Sequence, residues 1–291
     1  MKIDIETLRK TKGIGEKTLE RIIKQHEIDN NIKSFKSEYI PSSKYRIKED
    51  INLWQGDCLE LMNHIPDKSV DMILADLPYG TTACSWDTII PFKPLWSHYK
   101  RIIKDNGVIV LFGSEPFSTK LRMSNLDWYK YDWIWEKPQG VDPFMSTIRP
   151  LNNIENIIIF APSRTIYNPQ LEQGKPYNIV RDKKPRLMET NNTVMRETAT
   201  VNTGYRYPKR VLKFKQEKGL HPTQKPVELG EYLIKTYTDE GMTVMDNTMG
   251  VGTFGVSAKN TNRKFIGIEL DENYFEIAKE RVKNIERKII L

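Results

Sequence analysis

The sequence predicts an α/β fold in which helices cover both faces of a mostly parallel sheet. Seven short apolar or β-branched runs, each bounded by polar residues, indicate strands. Helical patterns separate several of these runs, as in crossover connections between parallel strands. The chain of 291 residues, with 38% hydrophobic and 29% charged residues, is long enough for one large domain with a small appendage. The same composition excludes a mainly disordered protein.

The elements follow in order along the chain. The predicted strands are Ile51–Trp54, Asp71–Ala75, Val108–Phe112, Trp133–Trp135, Asn156–Ala161, Thr243–Met245 and Phe265–Glu269. The predicted helices are Pro94–Ile103, Phe117–Ser124, Pro226–Tyr237 and Asp271–Ile285. Pro226 suits a first helical turn, where its missing N–H leaves no hydrogen bond unmade. Asp271 is the expected N-cap of the last helix.

Positive charge is concentrated in two parts of the chain. The net charge is +7, with +5 in residues 1–48, +8 in residues 163–216 and −6 in the remainder. Added basic segments around an acidic body are typical of a protein that binds a polyanion, although two solvated lysine-rich loops would give the same count. We therefore expect an N-terminal segment (1–40), a main domain (49–291) and a basic insertion within it (about 140–216).

Several classes of protein are disfavoured by what the sequence lacks. No apolar run is long enough to cross a membrane, and the first residues lack the apolar core of a signal peptide. The two cysteines, Cys58 and Cys84, have neither a disulfide framework nor zinc-site spacing. A reducing cytosol is the expected location.

A glycine-containing loop near the C-terminus predicts a nucleotide-type site. The strand ending in Asp246 runs into a Gly250-Val251-Gly252 turn, and the next strand ends in Glu269, 19 residues after Gly250. A carboxylate at this spacing can accept both hydroxyls of a ribose. The third glycine of the dinucleotide fingerprint is missing from its usual spacing, which argues against NAD.

A second turn, Asp76-Leu77-Pro78-Tyr79, follows an apolar strand. The Asp76 carboxylate and the Leu77 carbonyl can accept two hydrogen bonds from one amino group, and Tyr79 can stack on a planar base. Such a turn would hold an exocyclic amine with its lone pair aimed at an electrophile. The alternative is an ordinary turn in which Asp76 caps a helix and Tyr79 packs.

These motifs together resemble the S-adenosylmethionine-dependent DNA amino-methyltransferases, which form N6-methyladenine or N4-methylcytosine. Asp76 to Tyr79 resembles the catalytic Asp-Pro-Pro-Tyr, and Asp246 to Thr253 resembles the cofactor loop, with Asn247-Thr248-Met249 in place of Pro-Phe-x. Further matches are His221 to Pro226, Gly56 to Leu61 and Trp133 to Pro138. The motif order, catalytic first and cofactor loop last, resembles the circularly permuted β-type members, especially phage or prophage enzymes.

The resemblance implies a Rossmann-like, seven-stranded methyltransferase sheet and roles for individual residues. The implied catalytic residues are Asp76, Leu77, Pro78 and Tyr79. The implied cofactor-binding residues are Asp57, Thr223, Lys225, Asp246, Gly250, Gly252, Thr253 and Glu269. Trp135 and Lys137 would line the pocket of the target base, although Trp135 fits a core position equally well. No metal is expected, and a homodimer is a family expectation only.

The implied reaction is direct methyl transfer to adenine N6 in double-stranded DNA, after the base has been flipped out of the helix. Asp at the first motif position favours adenine over cytosine. Leu77 departs from the family proline but keeps the accepting carbonyl, at a cost of roughly 1 kcal/mol of loop pre-organisation. Methylation of cytosine N4, methylation of RNA, and a DNA-binding protein without catalysis stay open as alternatives.

The N-terminal segment resembles a helix-hairpin-helix between Leu8 and Ile22. Its glycine turn would point backbone N–H groups at a DNA phosphate without reading the sequence. The predicted DNA contacts there are Lys12, Gly13, Gly15 and Lys17. A helical hairpin that packs on the main domain or joins two copies is the alternative.

Overall fold

The computed structural model describes residues 44–48, 50–81, 87–141, 143–180, 199–217, 219 and 224–285. The predicted helix-hairpin-helix, with Lys12, Gly13, Gly15 and Lys17, lies outside these residues, and so do Cys84 and Thr223.

All seven predicted strands are present. In chain order, the described strands are β1 (Lys44–Lys48), β2 (Ile51–Gln55), β3 (Val70–Ala75), β4 (Ile103–Gly113), β5 (Tyr129–Val141), β6 (Asn152–Phe160), β7 (Glu172–Gln173), β8 (Tyr177–Val180), β9 (Ala199–Asn202), β10 (Tyr205–Arg206), β11 (Val211–Lys213), β12 (Thr243–Asp246) and β13 (Lys264–Glu269). Nine of them form one sheet, in the order β1-β2-β13-β12-β3-β4-β6-β5-β11. Five of its eight strand pairings are parallel, as the fold class requires.

The sheet is two strands wider than the sequence predicted. β1 pairs antiparallel with β2 at one edge, and β11 pairs in parallel with β5 at the other edge. Residues 163–216 contain two short antiparallel pairs as well as β11. The expected insertion, residues 140–216, therefore contributes both β6 and β11 to the sheet.

Helices cover both faces of the sheet. In chain order, the described helices are α1 (Cys58–Leu61), α2 (Phe92–Ile102), α3 (Phe117–Met123), α4 (Val227–Tyr237), α5 (Thr253–Asn260) and α6 (Glu272–Lys283). Alternate residues of β3 face opposite sides, so that Met72 packs with α4–α6 whereas Ile73 packs with α1–α3. Asp271 caps α6 as predicted, accepting the N–H groups of Asn273 and Tyr274.

None of the helices in the described part of the chain is both long and apolar enough to cross a membrane.

Candidate active site

The carboxyl ends of β3 and β12 lie side by side near the centre of the sheet. The two strands pair in parallel, with Met72 opposite Val244. The chain leaves them in opposite directions, because β3 leads to β4 on one side and β12 leads to β13 on the other. Ligands of open α/β sheets bind where the strand order reverses in this way. The two motifs singled out in the sequence both begin at this point.

The turn after β3 places a carboxylate, a hydroxyl and an aromatic face together. The Tyr79 hydroxyl lies 2.7 Å from Oδ1 of Asp76, and the Tyr79 ring stacks on Phe117 with ring centroids 4.9 Å apart. The Thr248 hydroxyl donates to the main-chain carbonyl of Asp76 at 3.1 Å, which joins this turn to the loop after β12. The two sequence motifs therefore form one site.

Leu77 and Asp87 hold the turn in place. Leu77, which occupies the position of the family proline, buries its side chain in the apolar layer under α1–α3 and is 3% exposed. Burial of a leucine contributes about 1.5–3 kcal/mol, which exceeds the roughly 1 kcal/mol lost with the proline. The Asp87 carboxylate accepts the N–H groups of Gly80 and Thr81, each at 2.8 Å. The turn is thus fixed by packing and hydrogen bonds.

A cluster of two carboxylates and two lysines surrounds the turn. The Lys225 ammonium contacts Asp76 Oδ2 and lies 3.0 Å from Glu155 Oε1. Lys137 Nζ lies 2.7 Å from Glu155 Oε2, and the Tyr79 hydroxyl lies 2.8 Å from Glu155 Oε1. Glu155 and Lys225 are almost fully buried. The opposite charges balance, which is a requirement for burying them together.

The cluster shifts the pKa values of Asp76, Glu155 and Lys225 in different directions. Burial raises the pKa of Asp76, and Lys225 opposes this increase while the nearby Glu155 charge adds to it. Burial also tends to raise the pKa of Glu155, but Lys225 and Lys137 outweigh it and lower that pKa to about 2. Burial disfavours the charged form of Lys225, yet Asp76 and Glu155 raise its pKa above the usual value. Glu155 and Lys225 therefore stay charged, and Asp76 is the carboxyl group of the cluster whose pKa is raised.

The loop after β12 is fixed by the carboxylate at the end of β13. Glu269 Oε2 accepts the N–H of Gly250 at 2.7 Å, and Oε1 accepts the N–H of Asp271 at 2.9 Å. Gly250 has a left-handed φ of +51°, and a Cβ at this position would enter open space. This combination leaves room for a ligand to approach the loop backbone.

Gly252 and Thr253, two residues predicted to bind the cofactor, contact α6 instead of the open side of the loop. A Cβ on Gly252, whose φ is +74°, would lie 3.0 Å from the Cβ of Ala278 in α6. The Thr253 hydroxyl accepts a hydrogen bond from Arg281 of α6 at 3.0 Å. Packing against α6 therefore explains why these two residues are small, whereas Gly250 faces open space.

Two predicted cofactor residues also have structural partners. Asp246 ends β12, is 2% exposed and accepts the N–H of Thr248 at 3.0 Å. Burial raises the pKa of Asp246 well above its usual range, although the Thr248 N–H opposes the increase. Asp57 caps α1 with Oδ1, which accepts the N–H groups of Leu59 and Glu60 at 2.7 and 3.3 Å. The second oxygen of Asp57 takes no part in this cap.

Asn247 replaces the family proline with a buried polar network. Its amide oxygen accepts a hydrogen bond from the Tyr99 hydroxyl at 2.5 Å, and its amide nitrogen lies 3.6 Å from the Cys58 sulfur. Burial raises the pKa of the Cys58 thiol to about 11, so the thiol is protonated at neutral pH. A protonated buried thiol is a poor nucleophile.

A family model described as DNA methylase, N6_N4_Mtase, matches residues 70–280, which include both motifs and the ion cluster. The chain belongs to this DNA methylase family. It is accordingly a DNA methyltransferase of the N6/N4 amino-methyltransferase group, and S-adenosylmethionine is its cofactor.

Relatives of this DNA methyltransferase cover most of its length. It is 29% identical over 271 residues to the type II methyltransferase M.HinfI of Haemophilus influenzae, a match that covers 82% of this chain and 72% of that protein. The crystal structure of an M1.HpyAVI-SAM complex superimposes with a TM-score of 0.54 and 25% identity, covering 79% of this chain and 99% of the other. The PvuII DNA methyltransferase (cytosine-N4-specific) shares the fold, with a TM-score of 0.58, 15% identity and coverage of 83% and 89%.

The structure of the methyltransferase brings the catalytic turn and two lysines together and buries Trp135 beside them, with Lys137 Nζ 5.0 Å from the centroid of its ring. Asp76, Leu77, Pro78 and Tyr79 lie at the end of β3, beside Lys225 and Lys137. Trp135 is 2% exposed, packs in the sheet core and donates its indole N–H to the Phe214 carbonyl at 3.0 Å. This burial favours packing, the alternative that the sequence left open, and a place for Trp135 in the pocket of the target base stays a prediction.

Glu155 is the residue of the methyltransferase site that the sequence analysis missed. It contacts Tyr79, Lys137 and Lys225, although it lies 76 residues after Tyr79 in the chain. One signal was available, because Glu155 stands just before the apolar run of β6, where a lone carboxylate becomes buried. Phe117 and Thr248 were also missed, since neither residue type is distinctive in sequence.

Proposed function

We propose that this chain transfers a methyl group from S-adenosylmethionine to N6 of adenine at a specific site in double-stranded DNA. The observation that carries the proposal is the union of the Asp76–Tyr79 turn with the loop after β12, joined by the hydrogen bond from Thr248 to Asp76. This union puts a group that can hold an amine beside the expected cofactor loop. The target base would be flipped out of the duplex to reach it.

The residues around the loop suit the proposed cofactor. When bound, S-adenosylmethionine supplies a methyl group carried on a positively charged sulfur. Asp76 and Glu269 place two carboxyl groups at the same edge of the sheet, which favours a cationic ligand. We assign Glu269 to the ribose hydroxyls, the free oxygen of Asp57 to the adenine amino group, and the open side of Gly250 to the methionine portion. Asp246, Gly252 and Thr253 shape the loop around it.

The chain's own groups act on the target amine. Asp76 and the Leu77 carbonyl would each accept a hydrogen bond from the amino group, which directs the nitrogen lone pair toward the methyl group. Positive charge then develops on that nitrogen, and the ionised Asp76 stabilises it and would accept the proton that the methylated nitrogen must lose. Tyr79, stacked on Phe117, supplies an aromatic face for the base.

The amine would approach an Asp76 whose Oδ2 is already in contact with Lys225. Lys225 also pairs with Glu155 at 3.0 Å, so its charge stays compensated when Asp76 turns to the substrate. We therefore propose that Lys225 holds Asp76 between turnovers. Contact with the cofactor carboxylate, the role implied for Lys225 and Thr223 by the family resemblance, is the competing assignment for this lysine.

Adenine is favoured by the motif and not by the fold. Asp at the first motif position is commoner among adenine enzymes, and this chain has Asp76 there. The shared fold of a cytosine-N4-specific enzyme shows that the sheet alone does not choose the base.

We further propose that residues 140–216 recognise the target sequence and that the N-terminal segment contacts phosphates, because both segments are basic.

Transfer of a labelled methyl group from S-adenosylmethionine tests the function. We expect label in duplex DNA and much less in RNA. Asp76→Ala should abolish transfer, whereas Asp105→Ala, which removes an exposed carboxylate remote from the site, should not change it. Absence of transfer to any DNA, combined with tight DNA binding, would favour a binding protein without catalysis.

A further inference from the structure

The connection between β5 and β6 projects from the active-site edge of the sheet. Trp135 of β5 pairs with Glu155 of β6, and Glu155 belongs to the ion cluster around Asp76. From Glu155, the three residues back to Asn152 span about 10 Å of extended strand. The hairpin tip, residues 143–151, therefore stands beyond the catalytic cluster by roughly the depth of a DNA groove, about 8 Å.

The tip carries apolar side chains that the protein leaves uncovered. Phe144 is 94% exposed and Ile148 is 75% exposed, and Leu151 and Ile154 are nearly half exposed. Single exposed apolar residues are ordinary, but four within residues 144–154 of one hairpin beside a site call for a partner.

The conformation of the tip is stabilised by a close contact between the two strands at its base and by a turn within it. A Cβ on Gly140 would lie 2.5 Å from the Cβ of Leu151, so the two arms are in close contact at this point. Pro143 begins a 3₁₀ turn that ends at Met145, and the Ser146 N–H donates to the Pro143 carbonyl at 3.2 Å. A pre-shaped tip costs less conformational entropy on binding than a flexible loop would.

We propose that Phe144 and Ile148 enter the base stack of the DNA substrate at the step from which the target base is extruded. Apolar wedges that unstack neighbouring base pairs are a known means of deforming a duplex. Residues 143–151 contain Arg149 and no Asp or Glu; of the two acids that flank the hairpin in sequence, Asp142 and Glu155, the latter is paired with Lys137 and Lys225. The inference rests on the proposed function, because it requires a flipped base in the site.

The charge of the neighbouring strand favours DNA over a second protein copy as the partner. β11 lies next to β5 and runs parallel to it, so its end reaches the same edge of the sheet. Lys213 and Lys215 lie at this end of the strand, and both are exposed, although Lys213 Nζ is 3.2 Å from Glu136. Lys209 and Arg210 extend the exposed basic row to the beginning of the strand, where Arg210 also donates to the Asp132 carbonyl. DNA whose phosphates bind along this basic strand would have its base pairs next to the apolar tip.

The test compares methylation of two duplexes that carry the site identified by sequencing methylated DNA. In one duplex the target base is paired, and in the other it stands opposite an abasic position. The Phe144→Ser/Ile148→Ser double variant should lose about tenfold or more in kcat/KM on the paired duplex and recover most of this loss on the other. Met123→Ser, which removes an exposed apolar side chain from α3, is the matched control and should behave as the unchanged protein on both.

Three other outcomes would contradict the wedge or the proposed function. An equal loss on both duplexes, or no loss on either, would overturn the wedge. Conversion of a dimer to a monomer by the double variant, measured by sedimentation, would assign the patch to a second copy and would overturn it too. No transfer by the unchanged protein to either duplex would instead overturn the proposed function.

Discussion

Asp76 works only if its carboxylate is ionised, and its neighbours control that state. Burial and Glu155 raise the pKa of Asp76, whereas Lys225 is the main group that lowers it. Ionisation is needed because a carboxylate accepts hydrogen bonds from an amine and stabilises the charge formed on it. Activity should therefore fall on the acid side as Asp76 becomes protonated, at a pH above that of an ordinary aspartate.

Lys225→Met tests how the ammonium acts. Loss of its charge removes the interaction that lowers the pKa of Asp76, so the acid limb of the kcat/KM profile should move to higher pH. Lys225→Arg keeps the charge and should leave the acid limb nearer its original position. A large rise in KM for S-adenosylmethionine with an unmoved acid limb would show that Lys225 binds the cofactor instead.

Leu77→Ala tests whether packing holds the catalytic turn. Because the Leu77 side chain is fully enclosed, the variant should lose about 2–5 kcal/mol of unfolding free energy, measured by urea denaturation. The main-chain carbonyl is kept, so molecules that remain folded should retain methyl transfer. A loss below about 0.5 kcal/mol, the range of surface substitutions, would contradict the assignment.

At the level of single residues, the sequence predicted the turn but not its surroundings. Asp76 and Tyr79 are three residues apart, so their cooperation is local and readable. Glu155 and Lys225 reach them only because β6 and the residues before α4 meet at the sheet edge. Such contacts depend on strand order, which one sequence does not reveal.

At the level of elements, the loop after β12 contains two glycines, Gly250 and Gly252. Both have a left-handed backbone conformation, but their neighbours differ. Gly250→Ala and Gly252→Ala should both cost about 1–2 kcal/mol, because alanine in the left-handed region is strained. Gly252→Ala should cost more, since its Cβ would also press on Ala278 in α6. Urea denaturation of the pair measures the difference, and equal losses would contradict the packing argument.

The same pair separates folding from cofactor binding. Calorimetry should show that Gly250→Ala weakens S-adenosylmethionine binding, because the added methyl group occupies space that we assign to the ligand. In Gly252→Ala, the molecules that remain folded should bind almost as tightly as the unchanged protein. Weaker binding by Gly252→Ala than by Gly250→Ala would indicate that the cofactor lies on the other side of the loop.

The central strands were predictable because continuous apolar runs such as Val108–Phe112 are buried on both faces. The two edge strands were not predicted. Val211–Lys213 has only Leu212 buried, and it is a strand because β5 offers it an edge. Its short, charged sequence resembles a loop, so tertiary pairing decided its structure.

At the level of the whole molecule, positive charge should make DNA binding strongly dependent on salt. If Lys209 and Lys215 each neutralise one phosphate, Lys209→Gln/Lys215→Gln should make the slope of log K against log salt less steep by about 2. Lys264→Gln/Lys283→Gln, which changes two exposed lysines in β13 and α6, far from β11 in the sheet order, is the control and should leave the slope unchanged. Equal slopes for both double variants would contradict a DNA surface beside β11.

The identity of the methylated nucleoside is the measurement that decides most. DNA incubated with the protein and S-adenosylmethionine is digested to nucleosides, and the products are separated by mass and retention. We expect N6-methyladenine from the unchanged protein and none from Asp76→Ala. N4-methylcytosine, or unmodified nucleosides from every DNA tested, would contradict the proposal that Asp76 holds the amino group of adenine for methylation.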